Sequence, residues 1–220
     1  MPNSARRGIY SLLYISLLVL ISLPSGSFAE IVLTELLASP GSDWSGDGTI
    51  DWRDDEWVEI ANRGDSSVDL TDYWISDELE DSPIRYRFSG TLPPGEALFV
   101  TGQEARAWQL EMGLGGAGLS LRNTDGDVVL YKDVGDSVHL ADQIHYRSYQ
   151  VEYERAMGRH PLETETWMLF DGLNLYHGSQ EPGSTGCSPS PGEINDCGET
   201  KAEASDWGKV KGLYGDRDSK

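Results

Sequence analysis

Glu56-Trp57-Val58-Glu59-Ile60-Ala61-Asn62 puts Val58 and Ile60 on one side of an extended chain and Glu59 on the other. That period of two predicts a β-strand. Similar runs lie on both sides of it. Upstream, Ile31-Val32-Leu33-Thr34-Glu35-Leu36-Leu37 is short, apolar and rich in branched side chains. Downstream, positions 68–70, 73–75 and 84–88 alternate, and 97–101 follows the turn Pro93-Pro94-Gly95. Positions 119–121 and 128–131, separated by a turn at Asn123-Thr124-Asp125-Gly126, are expected to pair as a hairpin. Strands are also expected at 138–146 and 167–170. Only 103–112 reads as a helix, with Ala105, Trp108 and Leu110 on its apolar face. Short strands punctuated by turns about every ten residues predict an all-β fold, an antiparallel β-sandwich.

The chain has 220 residues, with 37 Asp and Glu against 17 Lys and Arg, for a net charge of −20. The length suits one packed domain, and the composition excludes collagen-like, coiled-coil and multi-span membrane classes. A chain this negative repels phosphate backbones, so no nucleic acid partner is expected. Cations are attracted instead.

The first residues read as an address. Arg6 and Arg7 precede a fifteen-residue apolar run, Ile9 to Leu23, broken only by Ser. Pro24, Gly26 and the small residues around Ala29 follow. This is the pattern of a secretory signal peptide over 1–29. The alternative is an uncleaved anchor helix, but the run is shorter than the roughly 20 residues a span needs. Export without stable membrane insertion follows, to the outside or the cell surface. Cys187 and Cys197, in a Pro/Gly/Ser-rich stretch, are then expected to form one disulfide. Two free thiols or a metal half-site are the other readings. Positions 198–220 are polar and read as a mobile tail, with 207–214 as a candidate docking peptide carrying Trp207 and Tyr214.

The most chemical segment joins the first two strands: Asp43-Trp44-Ser45-Gly46-Asp47-Gly48-Thr49-Ile50-Asp51-Trp52-Arg53-Asp54. It is close to the D-x-[DN]-x-[DN]-G calcium loop. Alternate oxygen side chains turn toward one centre, and glycine at the sixth position permits the sharp turn. The expected Ca²⁺ ligands are Asp43, Ser45, Asp47, the carbonyl of Thr49, Asp51 and Asp54, with Asp55 or Glu56 as substitutes for Asp54. Ile50 would tie the loop to the body. Ser45 is a weaker ligand than the usual Asp or Asn, and Asp54 is shorter than the usual Glu. The competing reading is a solvated acidic loop with an Asp-Gly turn.

Catalytic motifs are sparse. There is no G-x-S-x-G elbow, H-E-x-x-H helix or Walker loop. Gly113-Leu114-Gly115-Gly116-Ala117-Gly118 fits G-x-G-x-x-G literally but precedes a strand-like run, so it reads as a loop. His139, His145, His160 and His177 are scattered. Arg155 and Arg159, either side of Gly158, are expected to pair with surface acids, with an anion grip as the alternative. Trp57, Trp74 and Trp167 are expected in the core. Trp44 and Trp52 would either pack around the loop or form an exposed platform.

The order strand, acidic loop, Asp55-Glu56-Trp57-Val58-Glu59-Ile60-Ala61-Asn62, Val68-Asp69-Leu70-Thr71-Asp72-Tyr73-Trp74 and Leu92-Pro93-Pro94-Gly95 resembles the lamin-tail domain family in its exported bacterial form. Arg155-Ala156-Met157-Gly158-Arg159, Trp167 and Pro191-Gly192-Glu193-Ile194-Asn195 extend the resemblance to Asn195. It implies an immunoglobulin-like sandwich over 30–197, with the acidic insert at 43–54 and no shared catalytic residues. The expected function is a non-enzymatic binding or adhesion module, monomeric, stabilised by one Ca²⁺. Its partner would be an extracellular or cell-surface protein or polysaccharide. A small secreted metal-dependent phosphodiester hydrolase, using the acidic loop, is the alternative.

Overall fold

The computed structural model describes residues 31–79 and 82–197. The expected signal peptide (1–29) and polar tail (198–220) lie outside the described residues. Among the described residues eleven strands and one α-helix follow in the order β1 (Ile31–Leu37), β2 (Trp57–Asn62), β3 (Val68–Asp69), β4 (Tyr73–Ser76), β5 (Tyr86–Arg87), β6 (Thr91–Leu92), β7 (Ala97–Thr101), α1 (Gly102–Glu111), β8 (Gly126–Val134), β9 (Ser137–Tyr146), β10 (Ala156–Arg159) and β11 (Trp167–Phe170). A five-stranded antiparallel sheet, β11-β10-β1-β2-β7, faces a four-stranded one, β5-β4-β8-β9, and β3 pairs with β6. The fold is an immunoglobulin-like antiparallel β-sandwich.

Alternation positions the main core. Leu33, Leu36, Val58, Ile60 and Val100 from the first sheet meet Tyr73, Ile75, Val128, Leu130 and Ile144 from the second. Each aliphatic side chain fully buried here contributes about 1.5–3 kcal/mol relative to exposure. The opposite face of the five-stranded sheet is covered too. Leu37, Trp57, Ala156 and Phe170 form a second cluster there, against which Trp44, Phe99, Met168 and both cysteines pack. Hence every residue of β1 and β2 is buried, including Glu59, which alternation alone would place in water.

The expected hairpin between 119–121 and 128–131 does not form. Segment 128–131 lies within β8, which pairs with β9 along its whole length. Leu119 and Leu121 do enter the core. The backbone N–H groups of Ser120 and Leu121 donate instead to the Glu56 carboxylate, at 2.5 and 3.1 Å, and Ser120 has φ +62°. A buried carboxylate takes the place of a neighbouring strand. β10 was not expected as a strand of its own, yet it pairs with β1 on one side and β11 on the other.

The helix expected at 103–112 is α1. Thr101 caps it, its hydroxyl accepting from the Glu104 N–H while the Glu104 carboxylate accepts from the Thr101 N–H. This reciprocal box fixes the point at which β7 turns into α1.

Candidate functional site

The acidic loop is held mostly by its own backbone. Asp43 accepts from the N–H groups of Gly46 (2.8 Å), Asp47 (3.1 Å) and Gly48 (2.8 Å). Gly46 and Gly48 adopt φ +74° and +87°, which side chains other than glycine rarely reach. Ser45 Oγ lies 3.4 Å from Asp43 Oδ1. Asp47 accepts from the Thr49 N–H at 2.8 Å and from Gln103 Nε2 at 2.8 Å. Asp51 accepts from the N–H groups of Arg53 and Asp54, bonds that hold its carboxyl below the ordinary aspartate range. Asp55, fully buried, clamps the two ends by accepting from Ser45 N (2.8 Å) and Asp51 N (2.7 Å).

The expected ligands are therefore neighbours within one loop. Among the described residues, no group of three or more His, Cys, Asp or Glu side chains converges to hold a metal ion. Asp54 turns toward α1 and pairs with Arg106. Its other oxygen, Oδ1, is buried with no hydrogen-bond partner. Burial pushes the Asp54 carboxyl up against the pull of Arg106, and the charges of Asp51, Asp47 and Asp55 add to that push. Glu56 points away to Ser120 and Leu121, so it is no substitute ligand. Ile50 is 61% exposed and makes no tie to the body. The Asp55 clamp and the contacts to α1 do that work.

Beyond the loop lies a cavity of about 700 Å³, lined by Arg53, Ile84, Arg85, Gln109, Leu114 and the glycine-rich turn behind it. Such a volume is ordinary for a ligand site. The walls come from four separate segments. Gln109, buried on α1, staples three of them: its Nε2 donates to the carbonyls of Arg85 (2.6 Å) and Gly118 (2.8 Å), and its Oε1 accepts from Gly118 N at 3.1 Å. The literal G-x-G-x-x-G stretch is thus a wall of this cavity rather than a phosphate loop. Arg85 is committed to a two-pronged pair with Asp77. The Arg53 guanidinium stacks over Trp52, 4.7 Å from the ring centroid. Trp52, Leu110, Met112 and Leu114 are all at least half exposed around it.

The lamin tail domain family matches residues 24–148. The chain belongs to the lamin tail domain family. The matched span contains β1 to β9. This lamin-tail chain completes its five-stranded sheet outside that span, with β10 and β11. No match to the chain is found among curated proteins.

Cys187 and Cys197 form a disulfide, with Cα atoms 5.4 Å apart. Among the described residues no helix is long and apolar enough to cross a membrane. Trp57 and Trp74 are buried, while Trp167 is partly buried against the core. Trp44 packs edge-on against Trp57, with centroids 5.9 Å apart, so only Trp52 of the loop pair is exposed. Arg155 and Arg159 do pair with surface acids, Glu152 and Glu165, but are themselves buried, and Arg159 is also bound to Asp142 and the carbonyls of Leu33 and Thr164. No anion site remains there, because protein oxygens already fill the guanidinium fork. The cavity itself left no sequence signal, since its walls are brought together only by folding.

Proposed function

We propose that this lamin-tail domain is a secreted, monomeric, non-enzymatic binding module that works outside the cell or at its surface. Its ligand site would be the cavity between α1, the glycine-rich turn and Arg53. The observation that carries this reading is the cavity: about 700 Å³, lined by Ile84, Leu114 and Ala117, with Arg53 and Arg85 in its wall. Apolar walls beside the Arg53 guanidinium suit a protein segment that presents an apolar side chain next to a carboxylate. That favours a protein partner over a polysaccharide. The exposed side chains of Trp52, Leu110 and Met112 would extend the contact beyond the cavity.

One Ca²⁺ in the loop of Asp43, Ser45, Asp47, Thr49, Asp51 and Asp54 belongs to the proposal. Its role would be structural, since the same loop carries Arg53 and Trp52. The hard oxygen donors and the unpartnered, buried Oδ1 of Asp54 support it. Binding only the folded chain at hundredfold excess over Kd would stabilise it by about 2.7 kcal/mol. Addition of EDTA should then lower Tm, with Ca²⁺ restoring it and the variant Asp47→Asn showing a smaller response. A melt indifferent to both would remove calcium from the account.

The binding reading has its own test. Surface proteins and polysaccharides are passed over immobilised chain, and retained ligands are measured against Leu114→Asp and Arg53→Ala. At least a tenfold loss of affinity is expected in each, with Tm unchanged. Ligands held equally by both variants would place the site elsewhere. Turnover of chromogenic phosphodiesters with Ca²⁺ or Mn²⁺ would overturn the non-enzymatic reading.

A further inference from the structure

A second group of oxygens, sharing no residue with the acidic loop or the cavity, is buried beneath the Cys187–Cys197 segment. Glu35 on β1 and Glu59 on β2 stand directly opposite each other in the antiparallel register. Both are fully buried. They share the sheet's outer face because the register shifts between Leu33 and Glu35. With Leu33 and Leu36 both in the main core, that bulge turns Thr34 and Glu35 outward together.

Neither carboxylate meets a cationic side chain in its hydrogen bonds. Glu59 accepts from Thr34 Oγ1 at 2.7 Å and from the Gly192 N–H at 2.6 Å. Glu35 Oε2 accepts from the Ser190 N–H at 3.2 Å, with Ser190 Oγ at 3.4 Å. Ser190 Oγ also lies 3.0 Å from Asn195 Oδ1, and its one hydrogen cannot serve both oxygens. Glu35 Oε1 is buried with no partner at all. The group therefore holds more acceptors than donors.

Burial, and then the charge of Glu59, push the Glu35 carboxyl well above the ordinary glutamate range. A proton on Glu35 would cancel only one of the two charges. A cation would neutralise both charges and satisfy the unpartnered oxygen at once.

We propose that Glu35 and Glu59, with Thr34, Ser190 and Asn195, hold a buried Ca²⁺ that fastens the disulfide-closed segment to the outer face of the five-stranded sheet. These five side chains present up to seven oxygens, while the Asn195 amide nitrogen donates to the Thr34 and Arg159 carbonyls; that is the hard donor set and number that Ca²⁺ takes. Two carboxylates match its charge. The proposal does not rest on the acidic loop, which lies between β1 and β2 and uses different residues.

The test counts calcium on the full chain. Protein refolded in EGTA with its disulfide intact is dialysed against Ca²⁺ alone, for the parent chain, Glu35→Gln, Glu59→Gln and Asp43→Asn. Glu35→Gln and Glu59→Gln should each bind one Ca²⁺ fewer than the parent chain, whereas Asp43→Asn should keep this ion whatever happens at the loop. Asp43→Asn should also keep a Ca²⁺-dependent rise in Tm of about 5 °C or more at hundredfold excess, which Asp43→Asn with Glu35→Gln should lose. Folding of the variants is not in doubt for the reading, because in EGTA Glu35→Gln relieves repulsion and should melt no lower than the parent. A Glu35→Gln chain that binds as much Ca²⁺ as the parent, or an Asp43→Asn chain that binds none, would overturn the proposal.

Discussion

Asp171 shows how much backbone one buried carboxylate can organise. It follows β11 and is fully buried. Its Oδ2 accepts from Tyr176 N at 2.8 Å, and its Oδ1 accepts from Thr185 N and Gly186 N at 3.1 and 2.8 Å. Burial alone would push the carboxyl up. Hydrogen bonds from Ser184, Tyr176, Gly186 and Thr185 outweigh it and hold the group below the ordinary aspartate range. Asp171→Ala would leave three N–H groups without an acceptor, at a cost of about 2–4 kcal/mol. The sign with pH follows from the lowered value. The contribution is fully present above the unfolded pKa of 3.8 and is lost as pH falls through the lower folded one. Urea melts should therefore separate the parent chain and Asp171→Ala at pH 7 and bring them together in strong acid. Equal separation at both would mean that packing, not the ionised carboxylate, holds the segment. Asp43 uses the same device on three loop amides, but it is exposed, so water competes for those bonds and each is worth less.

The join between the acidic loop and α1 depends on the absence of one side chain. Gly102 N donates to Glu56 O at 2.7 Å, Gln103 N donates to Asp54 O at 3.0 Å, and Arg106 pairs with Asp54. A Cβ on Gly102 would stand 1.7 Å from the Arg53 carbonyl oxygen, a backbone atom that cannot swing away. Gly102→Ala should cost about 2 kcal/mol or more, although alanine is the better helix former. It should also weaken any ligand of the Arg53 cavity, since Arg53 must move. A Gly102→Ala chain as stable as the parent would show that the helix can dock without this close approach. Apolar patterning gave β1, β7 and β11 at their observed bounds, because each strand's own side chains carry the signal. It paired 119–121 with the wrong partner because alternation reports which side chains are buried, not where the N–H groups go. Here they go to Glu56, 64 and 65 residues away in sequence. The Asp-Gly spacing of the acidic loop was legible as a tight turn. That Asp54 faces Arg106 was not, since only the docking of α1 decides it. The cavity walls were invisible for the same reason: Arg53, Ile84, Gln109 and Leu114 become neighbours only in the folded chain.

The two sheets are also tied through one buried ion pair at the β1–β9 side of the sandwich. Arg159 on β10 has no exposed side-chain surface. Its Nη2 reaches Asp142 Oδ2 on β9 at 2.6 Å, and its Nε donates to the Leu33 carbonyl on β1 at 2.8 Å. Asp142 Oδ2 also accepts from Leu33 N at 2.9 Å, so one carboxylate and one guanidinium grip both backbone polar groups of the same residue. Burial pushes the Asp142 carboxyl up, and the attraction of Arg159 does not reverse it. Desolvation thus exceeds the Coulomb gain, the condition under which a buried pair contributes little net stability but is costly to break. Asp142→Leu alone should therefore destabilise by about 2–4 kcal/mol, because buried Arg159 loses one of its two carboxylate partners and Leu33 N loses its acceptor. Arg159→Met alone should cost a similar amount through Asp142. The double variant should recover part of that loss, the N–H and carbonyl of Leu33 left without partners keeping it below the parent chain. A double-mutant cycle from denaturant melts measures the coupling directly. Single losses that simply add would mean the pair does not act as a unit, and that the edge of the sandwich is held by the core on either side of it instead.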